Sequence, residues 1–427
     1  MLARTPSQYS RFSFWQLFLL LALLSFSCLG VWSTEVAHNG NMMLFVRHVF
    51  SMLLGLLGFF VISLYGYRRV SRWGPWLYLL LLLLLLLVLL VGPSVAGSRR
   101  WLYLPGFSFQ PSEFAKLVLV MTLSTHLASL RRVSPGSVLL LLLHILLPCA
   151  LVFRQPDLGM TLVLAGLLLS MLLVSPASLW FGGLLILPGL SIFLFWWSLA
   201  VWRLHLVLGV LWLAGWGLLA RWRRESLDLR ILGLAGLLSL NVLVIGGGNW
   251  VWHQLKPYQQ QRILTFISPN PDTLSSGYQV IQSTIAVGSG GLTGQGLFRG
   301  SQTQLGFVPE QHTDFIFSAL AEETGFFGAG FLLLLFALLI FRILWIGFQA
   351  QSLQQLYICT GVAALMLMQI LINVGMNMDF MPVTGVPLPL VSYGGSSMLI
   401  QLCMLGVVES IYLQQQRGEL ALEEGEL

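Results

Sequence analysis

Apolar runs of about twenty residues recur along the whole chain, and no other feature limits its fold as tightly. Such a run crosses the ~30 Å hydrocarbon layer as a helix. Within a bilayer each backbone N–H and C=O must be satisfied inside the segment, which selects helices over open strands. Twelve spans are expected, near 14–33, 48–67, 75–96, 113–130, 137–153, 158–175, 179–200, 204–220, 231–250, 312–345, 355–376 and 390–412. The run 312–345 exceeds one crossing, so its ends should lie outside the hydrocarbon. Composition agrees: 9% of the residues are charged, against about 25% in a soluble chain. The expected fold is therefore an all-α polytopic membrane protein, a single membrane domain over residues 1–427. The run from Phe14 has no small-residue cleavage site and reads as a retained first span, not a signal peptide. Cys28, Cys149, Cys359 and Cys403 all sit in apolar runs without CxxC spacing and read as buried hydrophobes.

With the N-terminus inside, thirteen of the 22 basic residues fall on the inner side, among them Arg68, Arg69, Arg72, Arg342 and Arg417. The bias fits the positive-inside rule. The cations left outside, Arg47, Arg99, Arg100, Lys116, Arg154, Arg203, Lys256, Arg262 and Arg299, run against that rule and imply a task there. The acids share the asymmetry: Glu113, Asp157, Asp272, Glu310, Asp314 and Asp379 fall at outer span ends or in outer loops, with Glu322 and Glu323 deeper in one helix. Carboxylates at membrane depth usually face a cavity and pair with cations. An outward-facing, water-filled cavity lined by both signs is the expectation. Residues 246–311 form the long polar loop on that side, and their interleaved aromatic and apolar residues favour an ordered loop on the membrane face.

Within this set, Gln110-Pro-Ser-Glu-Phe-Ala-Lys116 places Glu113 and Lys116 at i, i+3 on one helix face. Two readings stay open, an ion pair closing a helix end or a lysine that meets substrate. Asp272 follows Ser-Pro-Asn-Pro and reads plainly as a turn former or N-cap. It also has no local cation, and a free carboxylate over a cavity suits a general base. The glycines of Gly288-Ser-Gly-Gly-Leu-Thr-Gly follow no βαβ strand, so close backbone packing accounts for them better than a nucleotide loop. At Ser392-Tyr-Gly-Gly-Ser, backbone N–H groups of Ser392, Gly394 and Gly395 are suited to an anion such as a pyrophosphate, or to an ordinary helix entry. His312 beside Asp314 lacks a third ligand at helical spacing, which makes metal coordination the minor reading.

These stretches, together with Arg47-His48, Arg100-Trp101, Gln155-Pro-Asp-Leu-Gly159, Asp272 to Gln279, Phe307 to Phe317, Ala321 to Gly325 and Gly385 to Ser396, resemble the SEDS family of peptidoglycan glycosyltransferases. The matches run from the second span to the last. The resemblance implies polymerisation of lipid II at the outer face of the bacterial cytoplasmic membrane, for cell elongation, with release of undecaprenyl pyrophosphate. It implies Asp272 as the catalytic base. It implies substrate contacts from Lys116, Glu113, Arg100, Trp101, Arg47, Asp157, Arg262, Tyr278, Gln279, His312, Asp314, Ser392, Gly394 and Gly395. It also implies a class B penicillin-binding transpeptidase and other elongation-machinery membrane proteins as partners, membrane lipid as surroundings, and no nucleic acid. No resident cofactor is called, and a divalent cation such as Mg2+ stays open. The family pattern has ten spans; here 176–224 adds a two-helix hairpin, which preserves the sidedness of everything after it. Thr273 and Met160 depart from the family's usual Pro and Thr.

Two rival classes fit the same helices. A lipid II flippase wants charges spread near the midplane, whereas these crowd one face. A scaffold that only recruits a transpeptidase needs neither the paired charges nor the long loop.

Overall fold

The computed structural model describes residues 12–37, 42–94, 98–104, 107–130, 135–175, 253, 255–267 and 276–423. The expected hairpin 176–224, the expected span 231–250 and Asp272 lie outside the described residues. The helices are α1 (Phe14–Ala37), α2 (Met43–Tyr65), α3 (Tyr67–Arg72), α4 (Gly74–Val91), α5 (Pro111–Ser129), α6 (Pro135–Arg154) and α7 (Leu158–Val174). They continue with α8 (Pro257–Ile267), α9 (Ser276–Ser289), α10 (Ser301–Gln304), α11 (Ile316–Phe348), α12 (Leu353–Asn377) and α13 (Gly395–Glu423). Among the described residues, α1, α2, α4, α11, α12 and α13 are long and apolar enough to cross a membrane, and α6 and α7 contain shorter apolar helices. Their outward faces are apolar too: Leu57 is 60% exposed, Leu83 56% and Phe341 62%, a surface that only lipid covers favourably.

The core forms where small residues let helices approach. A Cβ on Gly406 of α13 would lie 2.6 Å from the Phe59 carbonyl oxygen of α2, and one on Gly58 would lie 2.8 Å from Cys403 Sγ. Only glycine allows that contact, the small-residue packing characteristic of helices in lipid. α5 differs from its neighbours. It is buried almost all round, yet carries Ser112, Glu113, Lys116, Thr122 and Ser124 inward. At the end opposite the site, Glu409 accepts from the Ser13 amide at 2.6 Å and Arg342 donates to Ser13 Oγ at 3.1 Å, which ties α1, α11 and α13.

Two features depart from the expectation of uninterrupted helix. Leu102–Leu104 and Phe107–Phe109 pair antiparallel between α4 and α5, with Tyr103 opposite Ser108. This short ribbon lies beyond the apolar runs, where water can satisfy strand edges, so the bilayer rule does not reach it. The other is α11, which breaks at Gly325 (φ 67, ψ −167), so its 33 residues are two helices and not one long crossing. The glycine segment pairs with the break: Gln295 and Gly296 amides donate to the Glu322 and Glu323 carbonyls at 3.0 Å, and Phe326 N donates to Gly291 O at 2.9 Å. Cβ atoms on Gly290 and Gly294 would lie 2.2 and 2.1 Å from backbone oxygens of Ala321 and Glu323. Close backbone packing is therefore what these glycines do.

Candidate active site

Most of the residues singled out in the sequence meet at one end of the bundle, where α5, α7, α11 and α13 begin and α8 bonds to Arg100, Pro156 and Val383. Arg100 is the centre of the first group. Its guanidinium donates to the Gln155 carbonyl at 3.3 Å, to the Pro156 carbonyl, and to Tyr258 Oη at 3.1 Å, and lies 3.7 Å from Asp157 Oδ1. Asp157 caps α7, accepting from the Met160 amide at 3.1 Å, and its other oxygen accepts from Gln110 Nε2 at 3.1 Å. Tyr258 hydrogen-bonds onward to the Pro156 carbonyl at 2.9 Å, and its ring lies 5.7 Å beneath the Arg262 guanidinium. Pro257 fits the first turn of α8, and the i, i+4 spacing puts Tyr258 and Arg262 on one face.

Arg262 donates to the Val383 carbonyl at 3.3 Å and reaches over Gly385 towards Asp314. A Cβ on Gly385, whose φ is +76, would lie 3.4 Å from Asp314 Oδ2 and 3.9 Å from Arg262 Nη1, so this position requires glycine. The backbone of Asp314 is fixed by two buried amides, Asn373 and Asn377, which donate to its carbonyl at 2.9 and 3.0 Å. Its carboxylate makes no hydrogen bond or close ion pair among the described residues. Burial pushes the Asp314 carboxyl up from 3.8 to about 6; Arg262 and Arg100 pull it down, while Glu310 and Asp157 push it further up. Burial also lowers Arg262 from its usual range, although Asp314 opposes the shift.

A second group adjoins the first through residues 312–314. Ser392 Oγ donates to the Thr313 carbonyl at 2.6 Å, and the Tyr393 amide donates to the His312 carbonyl at 2.9 Å. The Tyr393 ring stands 5.7 Å from His312 and 5.9 Å from His48, while Arg47 hydrogen-bonds to its hydroxyl and Glu35 acts on it through charge alone. The amides of Ser392 and Tyr393 are taken by internal bonds. Gly394 and Gly395 stand half-buried at the head of α13.

The remaining expectations fare differently. Glu113 and Lys116 do pair, at 2.5 Å, but both side chains are inside the bundle, 1% and 0% exposed. Neither charged end hydrogen-bonds to a third group. Trp101, Tyr278 and Gln279 are half-buried, and Tyr278 and Gln279 form no side-chain hydrogen bond to a described residue. Glu322 and Glu323 correct the picture of acids facing a cavity and a cation. Glu322 accepts from the Gln302 and Thr303 amides at 2.7 and 2.9 Å and from Thr303 Oγ1 at 2.8 Å, while Glu323 accepts from the Phe298 amide at 3.1 Å and from Ser33. Donors from the start of α10 satisfy Glu322, and Phe298, Ser33 and Gln304 satisfy Glu323, in both cases without a cation. Among the described residues no three His, Cys, Asp or Glu side chains gather to hold a metal. Sequence reading missed Tyr258, Glu35, Asn373 and Asn377. The i, i+4 spacing of the two asparagines inside an apolar run was the available signal.

Two cations at one end of the bundle can bind a diphosphate through Arg100 and Arg262, with Asp157 held 3.7 Å from Arg100 and the Asp314 charge acting on Arg262. Comparison with known proteins gives the chain its family. The profile of the FtsW/RodA/SpoVE family, described as "Cell cycle protein", matches residues 9–216 and 225–417. The chain is 35% identical over 404 residues to the peptidoglycan glycosyltransferase MrdB of Escherichia coli strain K12, covering 94% of this chain and 93% of that one. It is 32% identical over 452 residues to the peptidoglycan glycosyltransferase RodA of Treponema pallidum strain Nichols, covering 95% and 98%. Its structure resembles a chain of a peptidoglycan synthase complex that coordinates polymerization and crosslinking, with TM-score 0.69, 31% identity and 95% and 98% coverage. It also resembles the rod shape determining protein RodA of Thermus thermophilus, with TM-score 0.59, 27% identity and 94% and 96% coverage. This all-α, multi-pass membrane chain belongs to the FtsW/RodA/SpoVE family.

Proposed function

We propose that lipid II is polymerised at the Arg100–Arg262 end of the bundle, on the outer face of the cytoplasmic membrane, with Asp272 as general base. That the chain is a peptidoglycan glycosyltransferase serving cell elongation follows from its family and from full-length relatives bearing that activity. The observation that carries the proposal is the convergence of Arg100, Asp157, Arg262 and Asp314 at one end, rather than through the depth of the bundle. A flippase would need such charges near the midplane.

In the reaction the 4-hydroxyl of one lipid II sugar attacks the anomeric carbon of a growing chain. A C–O bond forms there as the bond to undecaprenyl pyrophosphate breaks, and the hydroxyl proton passes to the base. Arg100 and Arg262 neutralise the departing pyrophosphate, the larger electrostatic task in such a transfer. Asp272 belongs to the eight-residue connection between α8, which bears Arg262, and α9. It is five residues past Ile267, a tether of at most about 18 Å. Asp314, already fixed beside Arg262, positions that guanidinium. Trp101, Tyr278, Gln279, His312, Arg47 and the α13 head with Ser392, Gly394 and Gly395 complete the surface for sugar and lipid. The buried Glu113–Lys116 pair supports the site from beneath. The crosslinking partner is a class B penicillin-binding transpeptidase, in keeping with the synthase complex that the fold resembles.

The test is glycan polymerisation from labelled lipid II by purified protein with its transpeptidase. Asp272→Ala should lower the rate by about 100-fold or more, the range of general-base catalysis, and Arg262→Gln should lower it without altering the fold. Polymerisation that survives Asp272→Ala would overturn the assignment of the base.

A further inference from the structure

The opposite end of the molecule carries a second charged site that the polymerase chemistry does not use. α2 stops at Gly66, where φ is +90, and the chain turns at once into α3. The turn opens a hollow of about 290 Å³ against the end of α13, lined by Gly66, Arg68, Arg69, Ser410, Gln414 and Arg417. A second hollow of about 400 Å³ lies on its flank, between Tyr65, Arg69, Arg72, Trp73 and Trp76. The two share Arg69, whose guanidinium stands 5.4 Å over the Tyr65 ring. Among the described residues no acidic side chain lines either hollow. Arg68, Arg69 and Arg72 form no ion pair among the described residues. Arg68 faces only neutral partners, Tyr67 Oη at 3.4 Å and the Gln414 amide oxygen when that amide is turned towards it.

Three arginines without counter-ions among the described residues predict an anion, and the surroundings say which kind. Trp73 and Trp76 are 57% and 67% exposed beside the hollows, rings of the type that settle at the headgroup level of a membrane. Below them the outward faces of α2 and α4 are apolar, with Val61 and Leu64 54% and 68% exposed and Leu79 and Leu80 49% and 45%. A soluble anion would gain nothing from that apolar track. A molecule with a phosphate head and acyl chains fits both parts.

We infer that the two hollows at the α2–α3 turn hold the headgroup of an anionic phospholipid of the inner leaflet, with Arg68, Arg69 and Arg72 on its phosphate and Trp73 and Trp76 along its glycerol and upper chains. Basic pockets between helices on the cytoplasmic side are the recognised form of such sites. The site stands apart from the proposed polymerase reading, because it lies at the other end of the bundle and uses none of the same side chains. It would hold the α2–α13 pair against the leaflet while the far end works.

Native mass spectrometry of the full-length protein in detergent, titrated with phosphatidylglycerol or phosphatidylcholine, tests this. Wild type should retain phosphatidylglycerol in preference to phosphatidylcholine. Each Arg→Gln change at Arg68, Arg69 and Arg72 should weaken that retention roughly fivefold. Arg99→Gln, at the opposite end, should leave it unchanged. Arg72→Gln alone guards against misfolding, since this exposed side chain makes no hydrogen bond to a described residue, and each variant is compared at equal thermal stability. Equal retention of the two lipids, or of phosphatidylglycerol by wild type and the triple variant, overturns the inference. So does stronger retention of undecaprenyl diphosphate through the same arginines, which would give the hollows to the substrate. A gain in retention on removing residues 418–427 would likewise overturn it, because it would make the acidic tail the occupant.

Discussion

Asp314 separates two kinds of buried charge in this protein. Its carboxyl stands near about 6 in the fold against 3.8 ordinarily, because burial outweighs the pull of Arg262. A folded-state value raised in this way adds stability that is complete below about pH 4 and is lost as pH rises through 6. Above pH 6 the ionised group is therefore a liability that the fold tolerates, as expected of a carboxylate kept for chemistry. Asp314→Asn should stabilise the protein by about 1–2 kcal/mol at pH 7.5, after discounting for partial exposure, and by nothing near pH 4. Thermal melting in detergent at the two pH values measures this; equal effects at both would remove the charge argument. Glu113 and Lys116 are the contrasting case, paired at 2.5 Å with no third partner. Lys116→Ala should cost about 3–5 kcal/mol by leaving Glu113 buried and unpaired, whereas Glu113→Gln with Lys116→Met should restore most of it. If polymerisation recovers with stability in the double variant, the pair only supports the site. If it does not, Lys116 has a role in the reaction as well. Both readings were open in the i, i+3 spacing, because spacing reports that two charges can meet but not how deeply they lie.

Among the elements, α11 shows what hydropathy can and cannot reveal. Its apolar run was plain, and its excess length signalled that some of it lies outside a single crossing. The break itself depends on Gly325 meeting Gly291, Leu292 and Gly294 from far along the chain, a tertiary pairing with no periodic signature. Gly294→Ala therefore tests the insertion. Its Cβ would sit 2.1 Å from the Glu323 carbonyl oxygen at φ +82, and the backbone cannot yield as a flexible side chain does. A loss of about 1–3 kcal/mol is expected from the conformation alone, with more from the clash, read as a lower melting temperature. Gly330→Ala on the same helix meets nothing within 4 Å and should be neutral to slightly stabilising. α8 was hidden for a different reason. Pro257-Tyr-Gln-Gln-Gln-Arg262 is polar enough to read as loop, and its helix packs a face onto the first site group through Tyr258 and Gln259. The Tyr258–Arg262 pair became visible only once the helical spacing was known.

For the whole molecule, the sidedness of charge was legible because the bilayer imposes it: lipid excludes charges from most of each span, so those that remain must gather at the ends or inside. The structure places Arg100, Asp157, Arg262 and Asp314 together at one end and Arg68, Arg69, Arg72 and Arg417 at the other. Hydropathy alone does not say which end faces the cytoplasm, since thirteen inner and nine outer basic residues make a modest bias. The proposed polymerisation requires the Arg100 end to be outside. Tyr103, 61% exposed on the ribbon of that end, and Trp73, 57% exposed at the other, are suitable reporters. In a background with the four cysteines replaced, Tyr103→Cys should react with a membrane-impermeant maleimide in intact cells, and Trp73→Cys only after permeabilisation. The opposite pattern would put the polymerase site and the phospholipid hollows each in the wrong leaflet. Labelling of both in intact cells would mean that α4, the one span between the two positions, does not cross the membrane. The experiment is thus a test of one physical claim, that Arg100 and Arg262 are kept outside by the pyrophosphate they are proposed to bind, against the electrostatic preference that would have drawn them in.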